Sequence, residues 1–321
     1  MSSNSDAPIL SAIDPDLGAR LVSRREALMR GMSLSGAVGA GLALGSVPVA
    51  LAAFSRNAFG QSTPAAITDV LNFALMLEIF ENEFYKAVLG TSASNAQNSA
   101  FATVRTAAAA VPGAVAALQH IQKHEQQHVA FLLANGATNL LNLTATSFDF
   151  TGNRSAAGGG PFAAATTNLQ FLLAVAQGAE DTGVRAYKGQ AGVLQSNSVV
   201  LEAALRIHAV EARHAAKIRR MRRATGAPAQ VRYAGYIQGS GVTAAGISNL
   251  TNVPAAVTAV FEAIYAGDGN TKHGGVNVAT LSNIPADIDL ANAATMAFDE
   301  PLTKAAVVAI VQPFFIPAIP A

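Results

Sequence analysis

The strongest constraint on this chain is a pair of motifs that occurs twice in the same order. Glu78 is followed seven residues later by Tyr85, and further on comes Glu125-Gln126-Gln127-His128. Glu180 is then followed seven residues later by Tyr187, and after it comes Glu211-Ala212-Arg213-His214. Residues three apart share a helix face, so each Glu-x-x-His pair can close on one metal ion. A duplication of function-bearing positions is much harder to obtain by accident than any single motif. It asks for a fold in which four helices present these residues to one place.

The surrounding residues say where that place is. Glu78 is preceded at helical spacing by Leu75, Ala74 and Leu71, and Glu180 by Gln177, Ala176 and Leu173. Both carboxylates therefore point where the apolar stripe points, into the core. An isolated buried carboxylate costs several kcal/mol and protonates instead. Two divalent ions bring charge that cancels Glu78, Glu125, Glu180 and Glu211, so the set makes electrostatic sense around a dinuclear centre. No Cys occurs in the 321 residues, which excludes disulfides, iron–sulfur clusters, thiolate zinc sites and thiol catalysis. Any metal must be held by His, carboxylate or backbone oxygen.

Four long helical segments carry the motifs: about Ala65 to Leu89, Pro112 to Asn135-Gly136, Phe162 to Gln190, and Ser198 to just before Gly226. Pro is favoured in a first helical turn, and Asn-Gly at a left-handed end. The stretch Ala137 to Pro161 can cross a whole bundle, because extended chain gains roughly 3.3 Å per residue. A short turn around Gly192 to Asn197 makes the third and fourth helices antiparallel neighbours. The expected class is all-α, a four-helix bundle with one long crossover. From about Val231 the chain turns rich in Gly, Ser, Asn and Thr, with short helix candidates at Pro254–Ala266, Ile288–Phe298 and Pro301–Val311. The expected division is 1–60 an export signal and linker, 61–226 the bundle, and 227–321 a loop-rich extension packed on it.

The export signal rests on Ser23-Arg24-Arg25-Glu26-Ala27-Leu28-Met29, followed by an uncharged run from Gly31 to Phe54. A charged head, a weakly apolar middle and small residues near the end resemble a twin-arginine signal, with cleavage after Ala52 or near Gly60. The competing reading is a single membrane anchor, which the Gly content and Pro48 make a poor span. The twin-arginine reading places the mature protein in the periplasm or otherwise outside the cytoplasm, free of the membrane after cleavage. Lys+Arg is 21 against Asp+Glu 20, which lacks the cationic excess of a nucleic-acid binder.

The ligand set resembles the ferritin-like superfamily, in which a Glu from each of two helices joins a Glu-x-x-His from each of the other two. Leu77-Glu78-Ile79-Phe80-Glu81-Asn82-Glu83-Phe84-Tyr85 resembles a ferritin-like first helix. Ala297-Phe298-Asp299-Glu300-Pro301-Leu302-Thr303-Lys304 resembles the tail of bacterial ferritin-like-domain proteins related to plant desiccation-related proteins. The likeness covers about residues 65–225, and on weaker motifs reaches the C-terminus. It implies that Glu125 and Glu211 bridge two metals, that Glu78 and Glu180 are terminal ligands, and that His128 and His214 bind one metal each. Glu81, one turn from Glu78, is an alternative or additional ligand. The implied cofactor is two Fe ions, with Mn as the alternative. The implied partners are metal ions and dioxygen or peroxide, and the chemistry is Fe(II) oxidation or peroxide removal in stress protection. Oligomer formation is left open.

Other readings stand beside this one. His124-Glu125-Gln126-Gln127-His128 also fits a zinc hydrolase, with two His at i and i+4 around a Glu base and a third ligand from Glu180, Glu211 or His214. A non-enzymatic metal-binding or desiccation-protective protein would carry the same residues. On the dinuclear reading, His120 and His124 are supporting or surface groups. Tyr85 and Tyr187 are either core aromatics or hydrogen-bond donors to a ligand on a neighbouring helix. The basic run Lys217 to Arg223 reads as a solvated face at a helix end, Arg185 as a partner for a nearby acid, and His273 as a bystander in a Gly-rich loop.

Overall fold

Side-chain caps and apolar faces define the helices that carry the motifs. The computed structural model describes residues 65–154, 159–226, 247, 250–281 and 290–319. Helix α1 spans Ala65–Leu89 and ends at Gly90, whose φ of 77° lets the chain turn back. Two short helices, α2 (Asn95–Ala100) and α3 (Ala102–Ala109), lead into α4 (Ala114–Ala134). The Ser94 side chain caps α2 by accepting from Gln97 N. Helix α5 (Leu169–Leu194) and helix α6 (Ser198–Ala224) complete the long elements. Asn168 and Asn197 cap them, accepting from Phe171 N and Val200 N.

The differences from the expected boundaries have local causes. Helix α4 begins after Pro112, with left-handed Gly113 at its N-cap. The third long helix does not start at Phe162, because Ala163–Thr166 forms a separate 3-10 turn before the Asn168 cap. Nor does it stop near Gln190: it runs on to Leu194 through Gly189 and Gly192. Gly189 stays helical because it leaves room for a neighbour, since a Cβ there would stand 1.9 Å from Leu302 O.

The long helices pack as two hairpins, α1 against α4 and α5 against α6, joined mainly through α1 and α5. The connection from α4 to α5 covers one end of α1. Its Phe148 and Phe150, with Phe162, meet Phe80 and Phe84 of α1 and Phe314 and Phe315 near the C-terminus. Backbone bonds tie the two segments, with Asp149 N donating to Phe314 O at 2.8 Å and Ile316 N to Ser147 O at 2.8 Å. Such an aromatic cluster buries a large apolar area in edge and tilted contacts.

Beyond α6, the described helices are short: α7 (Ala255–Ile264), α8 (Leu290–Met296) and α9 (Lys304–Val311). A two-residue antiparallel ribbon, β1 (Lys272–His273) with β2 (Val276–Asn277), is the sheet among the described residues. Helices α7 and α9 both pack on α5. Arg185 of α5 is fully buried and clasps this segment, donating to the carbonyls of Ile264, Ala266 and Glu300. Its acid partners are Asp268 at 3.4 Å and Asp299 at 3.6 Å. His273 stacks on Phe298, with ring centroids 3.7 Å apart.

The basic run at the end of α6 is not a wholly solvated face. Arg219 and Arg222 are buried. Arg219 donates to Asp181, which also accepts from the Tyr265 hydroxyl at 2.6 Å. Arg222 donates to Gln177 at 2.7 Å, and Gln177 donates to Tyr265 at 2.9 Å. The spacing of the cations puts two of them against α5, where this network stands behind the ligand-bearing face. Among the described residues no helix is long and apolar enough to cross a membrane. The paired-arginine segment lies outside the described residues.

Candidate metal centre

Glu78 of α1, Glu125 and His128 of α4, Glu180 of α5, and Glu211 and His214 of α6 meet in the middle of the bundle. They form two overlapping groups, each with ligand atoms within 4.8 Å of one another. One contains Glu78, Glu125, His128 and Glu211, and the other Glu125, Glu180, Glu211 and His214. Glu125 and Glu211 belong to both, as a bridging pair must. All four carboxylates are 0% exposed, so none can rely on water for charge compensation.

The imidazoles sit in surroundings that hydrogen bonding alone does not satisfy. His128 Nδ1 lies 3.0 Å from Glu78, 3.1 Å from Glu125 and 3.0 Å from Glu211. His214 Nδ1 lies 2.8 Å from Glu125, 3.3 Å from Glu180 and 3.2 Å from Glu211. One N–H cannot serve three oxygens, and Glu125 Oε1, Glu180 Oε2 and Glu211 Oε1 accept no well-directed hydrogen bond. Orphaned buried carboxylate oxygens facing an imidazole nitrogen are what a cation would coordinate. The donor set, carboxylate and imidazole without thiolate, fits iron, manganese or zinc.

The electrostatics of the metal-free protein tell the same story. Burial pushes the Glu78 and Glu180 carboxyls up to about 8, and neighbouring carboxylates add to the rise against the pull of His128 and His214. Burial also raises Glu81 well above its usual range, with Glu211, Glu180, Glu125 and Glu78 all adding to the effect. Glu211 is the exception. Burial opposes its ionisation, but hydrogen bonds from His128 and His214 hold it well below the usual carboxylate range. Both imidazoles are held protonated: burial works against their charge, and the surrounding carboxylates overcome it. Protons thus stand in for the positive charge that two metal ions would bring.

The tyrosines are tied across the bundle. Tyr85 of α1 donates its hydroxyl to Glu180 of α5, and Tyr187 of α5 donates to Glu78 of α1 at 2.5 Å. Each therefore serves the carboxylate of the opposite hairpin, and burial and the accepting carboxylate keep both phenols protonated. Glu81 lies outside both groups. Its carboxylate reaches α5 at Gly183, where a Cβ would stand 3.1 Å from Glu81 Oε1. Sequence reading missed Gly183, since a lone glycine inside a helix does not reveal which neighbour needs the space.

His124 also stands outside both groups. Its Nδ1 meets His214 Nε2 at 2.9 Å, and the two rings stack. It supports His214 from behind, and does not converge with His128 as a zinc-hydrolase pair must. His120 is exposed.

Residues 66–224 match the model of a family described as the ferritin-like domain. No curated protein and no solved structure matches the chain.

Proposed function

Since residues 66–224 form a ferritin-like domain, we propose that the protein binds a dinuclear iron centre, with manganese as the alternative, and oxidises Fe(II) or removes peroxide. The observation that carries this is the pair of imidazole nitrogens, each facing three buried carboxylates within 3.3 Å. Glu78 and His128 would hold one ion, Glu180 and His214 the other, and Glu125 and Glu211 both. When bound, paired redox metals supply two electrons in one place, which suits dioxygen or peroxide.

The chain's own residues do the rest. The apolar stripe around Glu78, with Leu71, Ala74 and Leu75 all buried, excludes bulk water. The Tyr187 and Tyr85 hydroxyls orient the terminal carboxylates and hold a proton at their outer oxygens. His124 fixes the ring of His214. Twin-arginine export, reading Arg24 and Arg25, would deliver the protein folded and loaded to a compartment outside the cytoplasm. A stress-protective or desiccation-related role fits that placement.

Anaerobic Fe(II) loading followed by metal analysis is the direct test, with about two ions per chain expected. Oxygen uptake on adding excess Fe(II), or peroxide loss, then separates a reactive centre from a purely structural one. A single tightly held zinc per chain that survives Glu78→Ala would overturn the dinuclear reading.

A further inference from the structure

The sequence duplication is broken beside its tyrosines. Phe84 precedes Tyr85, and at the matching place Ala186 precedes Tyr187. The Phe84 ring packs on Tyr85, with centroids 5.2 Å apart, and Tyr85 is 0% exposed. Ala186 offers only a methyl group, and Tyr187 is 9% exposed although it reaches the middle of the bundle. Both line a cavity of about 20 Å³ to which α1, α4, α5 and α6 all contribute, with Leu71, Phe131 and Ile207 among the other walls. Among the described residues lining it, Tyr187 and Gln190 alone carry a polar side-chain group. The Tyr187 hydroxyl is already given to Glu78 at 2.5 Å. Gln190 and Ala204 are half-buried and form the rim.

We infer that this cavity is a docking site for one molecule of dioxygen, on the Glu78 side of the centre. Size and lining both select. One water takes roughly 10–15 Å³ of such space, so there is room for one small guest and not for an acyl chain or an aromatic ring. A water also needs roughly two to four polar partners, which this wall does not supply, so the cavity stays dry. Hydrogen peroxide would give up its hydrogen bonds to water without replacement, and an anion would meet the larger cost of a buried charge. Dioxygen is uncharged, has no donor to satisfy and favours an apolar wall over water. The Tyr187 ring that forms part of this wall hands its hydroxyl to Glu78, so the guest is held in reserve beside a terminal carboxylate. The inference rests on the dinuclear reading for the use made of dioxygen, and deepens it by choosing dioxygen over peroxide as the oxidant. The cavity itself requires no metal.

The test uses the metal-free full chain with 13C-labelled methyl groups, equilibrated first with nitrogen and then with oxygen gas. Dioxygen is paramagnetic and speeds the relaxation of methyls that it touches. Leu173 and Ala176 are the internal controls, being buried at the places on α5 that match Leu71 and Ala74 on α1, and lying outside the cavity wall. The oxygen-induced relaxation at Leu71 and Ala74 should exceed that at Leu173 and Ala176 by at least about threefold, and xenon under pressure should suppress the excess by taking the same space. Hydrogen peroxide should leave the Leu71 and Ala74 shifts unchanged. Ala186→Phe, which restores the ring that the other half carries, should abolish the excess. Ala204→Leu, which fills the cavity from its rim, should do the same without placing a ring in the core. Equal relaxation at the two pairs of methyls overturns the inference, as does an excess that persists in either variant with circular dichroism unchanged. Peroxide-induced shifts in place of the oxygen effect overturn it too. A chain that takes up no iron yet keeps the excess refutes the dinuclear centre and leaves the dioxygen site standing.

Discussion

The metal-free protein should lose stability as pH rises from 5 to 8, and bound metal should abolish that loss. Glu78 and Glu180 have ordinary values of 4.5 and are pushed up to about 8 in the fold, burial being the largest cause. Through that window the folded chain keeps protons that the unfolded chain has released, so folding becomes less favourable as protons grow scarce. His128 and His214 act in the same direction. Raised above 6.5, they stabilise fully below that value and lose the contribution as pH rises further. Asp268 and Asp299, which burial raises from 3.8 to about 7 and about 6 against the pull of Arg185, add a smaller contribution. Glu211, held low, contributes only below the window. Each of the two buried glutamates is worth on the order of a few kcal/mol across the range. At roughly 2–4 °C per kcal/mol for a domain of this size, the melting temperature should fall by about 10–20 °C. The assay is thermal unfolding of chelator-stripped protein by circular dichroism at constant ionic strength, repeated after anaerobic Fe(II) loading. Replacing Glu78 and Glu180 together by Gln should flatten most of the slope. A stripped protein whose melting temperature stays constant or rises between pH 5 and 8 would refute the charge account of the site.

Three further outcomes are expected. Tyr187→Phe should keep the fold but weaken metal retention about tenfold in a chelator competition, because Glu78 loses the donor that orients it; unchanged retention would make the ring plain packing. Gly189→Ala should destabilise by about 1–3 kcal/mol in denaturant unfolding, since the added methyl meets the Leu302 backbone; an unchanged midpoint would mean that this segment does not rest on α5 as described. Arg24→Lys with Arg25→Lys should leave the protein in the cytoplasm, seen by fractionation, because Lys keeps the charge but lacks the planar fork; undiminished export would point to an ordinary secretion signal or an anchor.

The all-α class and the four long helices were legible because apolar spacing and end signals are local, as at Asn135-Gly136. The six Glu and His positions could be singled out because a repeated spacing survives without knowledge of packing, and the structure brings all six to one place. What could not be read depends on which helices become neighbours. Spacing left Tyr85 either a core aromatic or a donor to a ligand on a neighbouring helix, and only the packing of α1 on α5 shows that its hydroxyl goes to Glu180. Nothing in the sequence says why position 189 is glycine until Leu302 is seen against it. Arg219 and Arg222 look like a wet surface until Asp181, Gln177 and Tyr265 are known to lie opposite. Helices α2 and α3 are short and Ala-rich, and lack a periodic apolar face long enough to announce them.

Each of the two groups takes three members from one hairpin and its fourth from the other, Glu211 completing the first and Glu125 the second. That exchange sets an order on biosynthesis. A ribosome that has released only residues up to the crossover presents Glu78, Glu125 and His128 with a coordination sphere one carboxylate short. Neither hairpin, expressed alone, would own a finished site. Firm capture of an ion must wait until Ser198–Ala224 has docked, so a filled centre would certify that translation and assembly of the bundle are both complete.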